Sequence, residues 1–92
     1  MKSILQNEKE CFYTESKFNL EKHHIMPGAF RSKSEKFGLW IYVRCDIHRG
    51  TEYSIHNDEE KLTQLKQLAQ EKFEMKYSHE KWMQEFKKNY LN

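Results

Sequence analysis

The chain has 92 residues, a length that allows one domain with a small core, and 33% of its residues are charged. No run of 18 apolar residues exists, so the sequence excludes a transmembrane helix. Six Phe, five Tyr and two Trp exclude a disordered chain, because so much aromatic surface needs burial, and the formal net charge is +2.

The N-terminus and the cysteines indicate a protein of the cytoplasm. Residues 1–8 become polar too early for a secretion signal. Two cysteines, Cys11 and Cys45, are too few for a disulfide framework, and a reducing compartment would keep them as thiols. We therefore expect a cytoplasmic protein with no membrane partner.

The positive charge is concentrated in one part of the chain. Residues 17–49 carry seven basic and three acidic side chains, a net charge of +4, whereas residues 1–16 and 50–92 each carry −1. Four of the five histidines lie between His23 and His56, in or beside this basic stretch. A basic stretch can attract phosphate backbones, although charge alone fits an ordinary solvated surface equally well.

The first half of the chain predicts short β elements separated by loops. Residues 11–14 form a short β-prone run, and Phe18 and Leu20 alternate with polar neighbours on the way to the pair His23-His24. Pro27 and Gly28 then end any regular element.

The strongest strand signal follows a polar segment. Residues 31–36 are basic and polar and predict a surface loop. Residues 39–43 are five consecutive large β-forming residues, which predict a strand covered on both faces. Residues 44–54 predict a second loop.

Residues 57–91 predict one or two helices. Asn57 and Glu60 resemble a capping box, and Ser78 could cap a second helix after a break, with a single unbroken helix as the alternative. Two apolar stripes recur at helical spacing: Leu62, Leu65, Leu68, Ala69 and Phe73, then Trp82, Met83, Phe86 and Tyr90. The apolar surface of these two stripes exceeds what one small core can cover, so a homodimer is an alternative to a monomer.

The pair His23-His24 is the segment best suited to chemistry. Adjacent side chains of a strand point to opposite faces, so one imidazole can bind a metal while the other accepts a proton. His48 lies in the predicted loop after the strand, and His56 lies at the predicted start of the helix. A junction between a loop and a helix can bring both of these imidazoles back towards the pair.

The residues His-His-Ile-x-Pro are followed by a predicted basic loop, a strand and further histidines before a helix. This order resembles the HNH (ββα-metal) endonuclease motif. It is similar in particular to small phage-encoded HNH-like proteins, including the nuclease domain of the phage recombination-enhancement family. The resemblance runs from about Cys11 to Leu68. It implies a single α+β domain over residues 1–92, in which a small β-hairpin with an HNH-like ββα-metal core (10–68) precedes one or two C-terminal α-helices, with 69–92 as a helical extension.

The resemblance also implies an enzyme that cleaves or nicks nucleic acid. The expected substrate is DNA, in the cytoplasm of a phage-infected or lysogenic bacterial cell. By position, His23 and His56 would be ligands of a divalent metal (Mg, Mn, Ni or Zn), and His24 would be the general base. His48 would be a further ligand only if it reaches the metal from the loop. Basic side chains would hold the phosphate backbone: Arg31, Lys33, Lys36, Arg44 and Arg49.

Three departures from the family pattern leave alternatives open. The spacing from His48 to His56 is wider than the usual helical turn, so His48 would reach the metal from the loop or would not bind it. The family often has an asparagine that braces the loop, and Gly38 stands at that position. Many relatives carry two Cys-x-x-Cys pairs around a structural zinc, of which only Cys11 and Cys45 remain here. These two with His48 could form a partial zinc site, or they could be free core thiols. The alternative function is a non-catalytic nucleic-acid-binding or protein-interaction module on an HNH-like scaffold.

Overall fold

The computed structural model describes residues 2–50 and 58–91, with the side chains at positions 49 and 50 outside the description. The predicted α+β class is confirmed: a two-stranded antiparallel hairpin is followed by C-terminal helices. The elements are β1 (Leu20–His24), a 3₁₀ turn (Gly28–Phe30), α1 (Arg31–Lys36), β2 (Trp40–Arg44), a π-helical turn (Asp46–Gly50), α2 (Glu59–Lys76) and α3 (His79–Phe86).

The hairpin divides its side chains between two faces. His23 pairs with Ile41, and His24 pairs with Trp40. Because side chains alternate along a strand, His23, Ile41 and Val43 share the inner face with the core, whereas His24 and Trp40 share the outer face. The side chains of the last two residues of β1 therefore lie on opposite faces of the sheet.

The N-terminal segment covers the second edge of β2. The Ser3 hydroxyl donates to the Trp40 carbonyl at 2.6 Å, and the amide of Tyr42 donates to Gln6 Oε1 at 2.6 Å. The amide of Phe12 donates to the Tyr42 carbonyl at 2.8 Å. These bonds satisfy backbone groups that an uncovered edge strand would expose.

Two short segments differ from the sequence-based prediction. Residues 31–36 form α1 rather than a loop, and Ser34 inside it is fully buried. A helix of six residues is too short to show a clear apolar period, so its charge dominates the pattern. Residues 12–14 form a turn rather than a strand, because Cys11 exchanges backbone hydrogen bonds with Glu15 and Ser16.

The two C-terminal helices are confirmed, and the unbroken single helix is wrong. The Ser78 hydroxyl accepts from the amide of Lys81 at 3.0 Å and caps α3 as predicted. The cap of α2 is Asp58, which accepts from Lys61, whereas Asn57 lies outside the described residues. No helix within the described ranges is long and apolar enough to cross a membrane.

An aromatic cluster joins the helices to the segment between the strands. Phe73 lies at the centre, with ring centroids 5.3 Å from Phe37, 5.4 Å from Trp82 and 5.9 Å from Phe86. All four rings are buried. This core ties α2 and α3 to the end of α1 and so holds the segment between β1 and β2 in place.

Candidate functional site

His23 and His48 come together although 25 positions separate them in the sequence. β1 places His23 on the inner face of the hairpin, and the π-helical turn after β2 brings His48 back to it. Their ring centroids are 5.3 Å apart, with the planes nearly perpendicular at 79°. Both rings are buried, and His23 is only 4% exposed.

Glu21 orients the ring of His48. Its Oε1 lies 2.9 Å from His48 Nδ1. A carboxylate there favours the proton on Nδ1 and leaves the ring lone pair on Nε2, the arrangement that metal-binding histidines usually show. The sequence analysis missed Glu21, although a residue two positions before His23 on a strand shares its face.

His24 lies on the other face in a different environment. Arg31 Nε donates to its Nδ1 across 3.4 Å, and its Nε2 lies 3.5 Å from Glu35 Oε2. Burial lowers the pKa of His24 below the usual histidine value, the cation of Arg31 lowers it further, and Glu35 opposes the shift. The ring is therefore neutral near pH 7 and can accept a proton.

One cleft of about 210 Å³ connects the three histidines. It opens where β1 ends, so side chains from both faces of the strand reach it. Lys22 and Arg31 are the cationic side chains of its lining, and Lys22 is ion-paired with Glu35 at 2.9 Å. The lining residues are Lys22, His23, His24, Pro27, Gly28, Arg31 and His48.

The remaining predicted basic residues are arranged elsewhere. Lys33 forms an ion pair with Glu85 at 3.1 Å, and Arg44 forms one with Asp46 at 3.2 Å. Lys36 is exposed beside the ring of Phe37. None of these three lines the histidine cleft, and the side chain of Arg49 lies outside the described residues. Lys22, which the sequence analysis did not single out, lines it instead.

The other predicted metal ligands are His56, Cys11 and Cys45. His56 falls in residues 51–57, outside the description. Within residues 2–50 and 58–91, no three His, Cys, Asp or Glu side chains form a group that could hold a metal ion. Cys11 is buried and accepts from the amide of Arg44 at 3.4 Å, whereas Cys45 is exposed.

Ser34 braces the segment between the strands, and the sequence analysis missed it. Its hydroxyl accepts from the amide of Met26 at 3.2 Å and donates to the carbonyl of Leu39 at 2.5 Å. Gly38, where the HNH resemblance would place an asparagine, has a φ of +71° just after α1. A Cβ there would lie 2.3 Å from the Lys2 carbonyl oxygen, so the position has no room for a side chain.

Comparison with protein-family models, with curated proteins and with solved structures found no match to this chain. The functional proposal therefore depends on the site itself and on the resemblance in its motif.

Proposed function

We propose that this protein is a metal-dependent HNH-type endonuclease that hydrolyses phosphodiester bonds in nucleic acid, with DNA as the expected substrate. The observation that supports it best is the meeting of His23, His24 and His48 in one basic cleft. Two of these rings are edge to face in the interior, and the third is a neutral ring beside an arginine.

The inner pair would contribute ligands to a divalent cation. His23 and His48 would hold it, with His56 as the further ligand that the motif implies. Imidazole nitrogen suits Zn, Ni and related cations, and the contact of Glu21 with His48 Nδ1 supports the required tautomer. When bound, the cation would neutralise the charge that develops on the phosphate and on the leaving oxygen.

The outer histidine would act as the general base. The contacts with Arg31 and Glu35 favour a proton on Nε2 of His24 and a lone pair on Nδ1. This lone pair accepts from Arg31 in the free protein. Once Arg31 turns from it to the phosphate, the lone pair would take a proton from water as the water attacks phosphorus. Lys22 and Arg31, both at the cleft, would hold the phosphate oxygens.

A plasmid-nicking assay tests the proposal. Supercoiled plasmid is incubated with Mg²⁺, Mn²⁺ or Ni²⁺ and with the parent protein, His24→Ala or His79→Ala. His79 is an exposed histidine of α3 that contacts Glu74, so it controls for loss of a surface imidazole. We expect nicking by the parent and by His79→Ala, and a loss of at least 100-fold in His24→Ala.

Two results would contradict the nuclease. One is nicking by His24→Ala at the parental rate, which would assign the activity to another group or to a contaminant. The other is inactivity of all three proteins with every metal. If the inactive proteins still retard DNA in a gel, the non-catalytic nucleic-acid-binding module becomes the better description.

A further inference from the structure

A second groove, of about 620 Å³, lies on the outer face of the hairpin. The N-terminal segment forms one wall, and β1 and β2 form the other. Its volume falls within the range of about 300–1,000 Å³ that small-ligand sites occupy. We name it the outer groove, and the lining residues that matter are Lys2, Asn7, Lys9, Lys22, Trp40 and Tyr42.

The outer groove combines aromatic rings with positive charge. Trp40 and Tyr42 are two residues apart on β2, and their ring centroids are 5.1 Å apart. Lys22 Nζ lies 4.1 Å from the Trp40 ring centroid, and Lys9 Nζ lies 5.6 Å from that of Tyr42. Three lysines and one carboxylate, Glu8, line the groove. Lys22 is ion-paired with Glu35 at 2.9 Å, so Lys2 and Lys9 carry the remaining positive charge of the lining. Aromatic rings beside lysines are the pattern with which proteins bind unpaired bases and their phosphates.

The outer groove adjoins the histidine cleft. Lys22 lines both of them. His24, in the cleft, is the cross-strand partner of Trp40, in the groove. Cross-strand partners have Cβ atoms about 4.5–5.5 Å apart, so a ligand in the groove would adjoin His24.

We propose that the outer groove binds one or two unpaired nucleotides of the strand whose phosphate lies at His24. This proposal deepens the proposed nuclease function and depends on it for the position of the scissile phosphate. A base packs on Tyr42, which is partly exposed, whereas Trp40 is only 6% exposed and supports Tyr42 from beside it. Lys9 and Lys2 hold phosphate oxygens. A duplex cannot bind in the same way, because its bases are already stacked on each other.

The affinity for a single strand, measured without metal, tests the outer groove in the absence of cleavage. The fluorescence anisotropy of a fluorescein-labelled 12-nucleotide oligodeoxythymidine is followed in EDTA with the parent, Lys9→Ala, Tyr42→Leu and Lys88→Ala. Lys88 is the matched control, since it is an exposed lysine whose Nζ lies 5.2 Å from the Tyr90 ring centroid. We expect Kd to rise about tenfold for Tyr42→Leu and severalfold for Lys9→Ala, with no change for Lys88→Ala.

The salt dependence separates the two contributions. Loss of one phosphate contact to a single strand reduces the slope of log Kd against log salt concentration by about 0.7. Lys9→Ala should show this reduction, whereas Tyr42→Leu should keep the parental slope because it removes stacking only. Unlabelled duplex of the same length should compete at least tenfold less well than the single strand.

Equal Kd values for the parent and for Lys9→Ala and Tyr42→Leu would overturn the proposal, and so would equal competition by duplex. Lys9 is exposed, so its variant tests the groove even if Tyr42→Leu loses stability. The binding experiment and the nicking assay can fail independently of each other. Groove-dependent binding without nicking contradicts the nuclease alone, and nicking with unchanged binding contradicts the groove alone.

Discussion

Two neighbouring histidines have different chemistry because a strand sends them to opposite faces. His23 lies inside, 5.3 Å from the ring of His48, where an imidazole is shielded from water. His24 lies between a cation and a carboxylate at the edge of the cleft. A base and a metal ligand can therefore come from adjacent positions in the sequence without competing for one proton.

The environment of His24 predicts how its titration responds to substitution. The midpoint of the His24 ring signals in an NMR titration should lie below the usual histidine value of about 6.5. Arg31→Gln should raise the pKa, because it removes a cation that repels the proton, and Glu35→Gln should lower it further. If both variants move the midpoint in the same direction, the assigned electrostatics are wrong.

The same shift sets the sign of a pH effect on stability. Because the pKa of His24 is lower in the folded state, the unfolded chain binds its proton more readily. The contribution of His24 is therefore present above the unfolded pKa and is lost as the pH falls through the folded pKa. If His24 is the base, the rate of nicking should fall over the same acidic range.

At the scale of elements, α1 and its ends position the cleft. Ser34 ties Met26 after β1 to Leu39 before β2, and Gly38 ends α1 with a left-handed backbone. The amide of Ile4 donates to the Gly38 carbonyl at 2.9 Å, so the N-terminal segment crosses close to this turn. The segment between the strands is thus braced by a buried hydroxyl and a tight backbone turn.

The two glycines of this segment give a matched pair of variants. Gly38→Ala should cost about 1–3 kcal/mol more stability than Gly28→Ala, measured by urea denaturation. Both have positive φ, +71° and +64°, so both share a backbone cost of about 1–2 kcal/mol. Only the Cβ at Gly38 would meet backbone, at 2.3 Å from the Lys2 oxygen, whereas nothing lies within 4 Å at Gly28. Equal losses would show that the N-terminal segment does not press on this turn.

At the scale of the whole molecule, the aromatic core and the histidine cleft are distinct parts of one small fold. The core is centred on Phe73, Trp82 and Phe86 and holds the helices together. The cleft lies at the end of the hairpin, where buried imidazoles replace apolar side chains. A cation bound there would join the hairpin to the turn after β2 and add to a small stability.

Metal binding should therefore raise the melting temperature. At a Ni²⁺ or Zn²⁺ concentration 100-fold above Kd, the gain is about 2.7 kcal/mol, which for a chain of this size is about 10 °C or more. EDTA should reverse the rise. His23→Ala should abolish it and His79→Ala should retain it, as followed by circular dichroism. A rise of the same size in His23→Ala would place the metal elsewhere.

The sequence alone predicted those elements whose formation depends on residues near to each other in the chain. The stripe that includes Leu65, Ala69 and Phe73 predicted α2, and Ser78 predicted the start of α3. The run of β-forming residues predicted β2 to within one position at each end. Periodicity and capping are local, so they can be seen without knowing how the chain folds back on itself.

The contacts through which these elements pack together could be identified only from the tertiary structure. The contact of Glu21 with His48 spans 27 positions, and the outer groove combines Lys9 with Tyr42 across 33. α1 owes its position to Ser34 and Phe37, whose partners lie outside the helix. Such contacts depend on strand register and on where the N-terminal segment crosses, and both are set by packing between distant parts of the chain rather than by any local pattern.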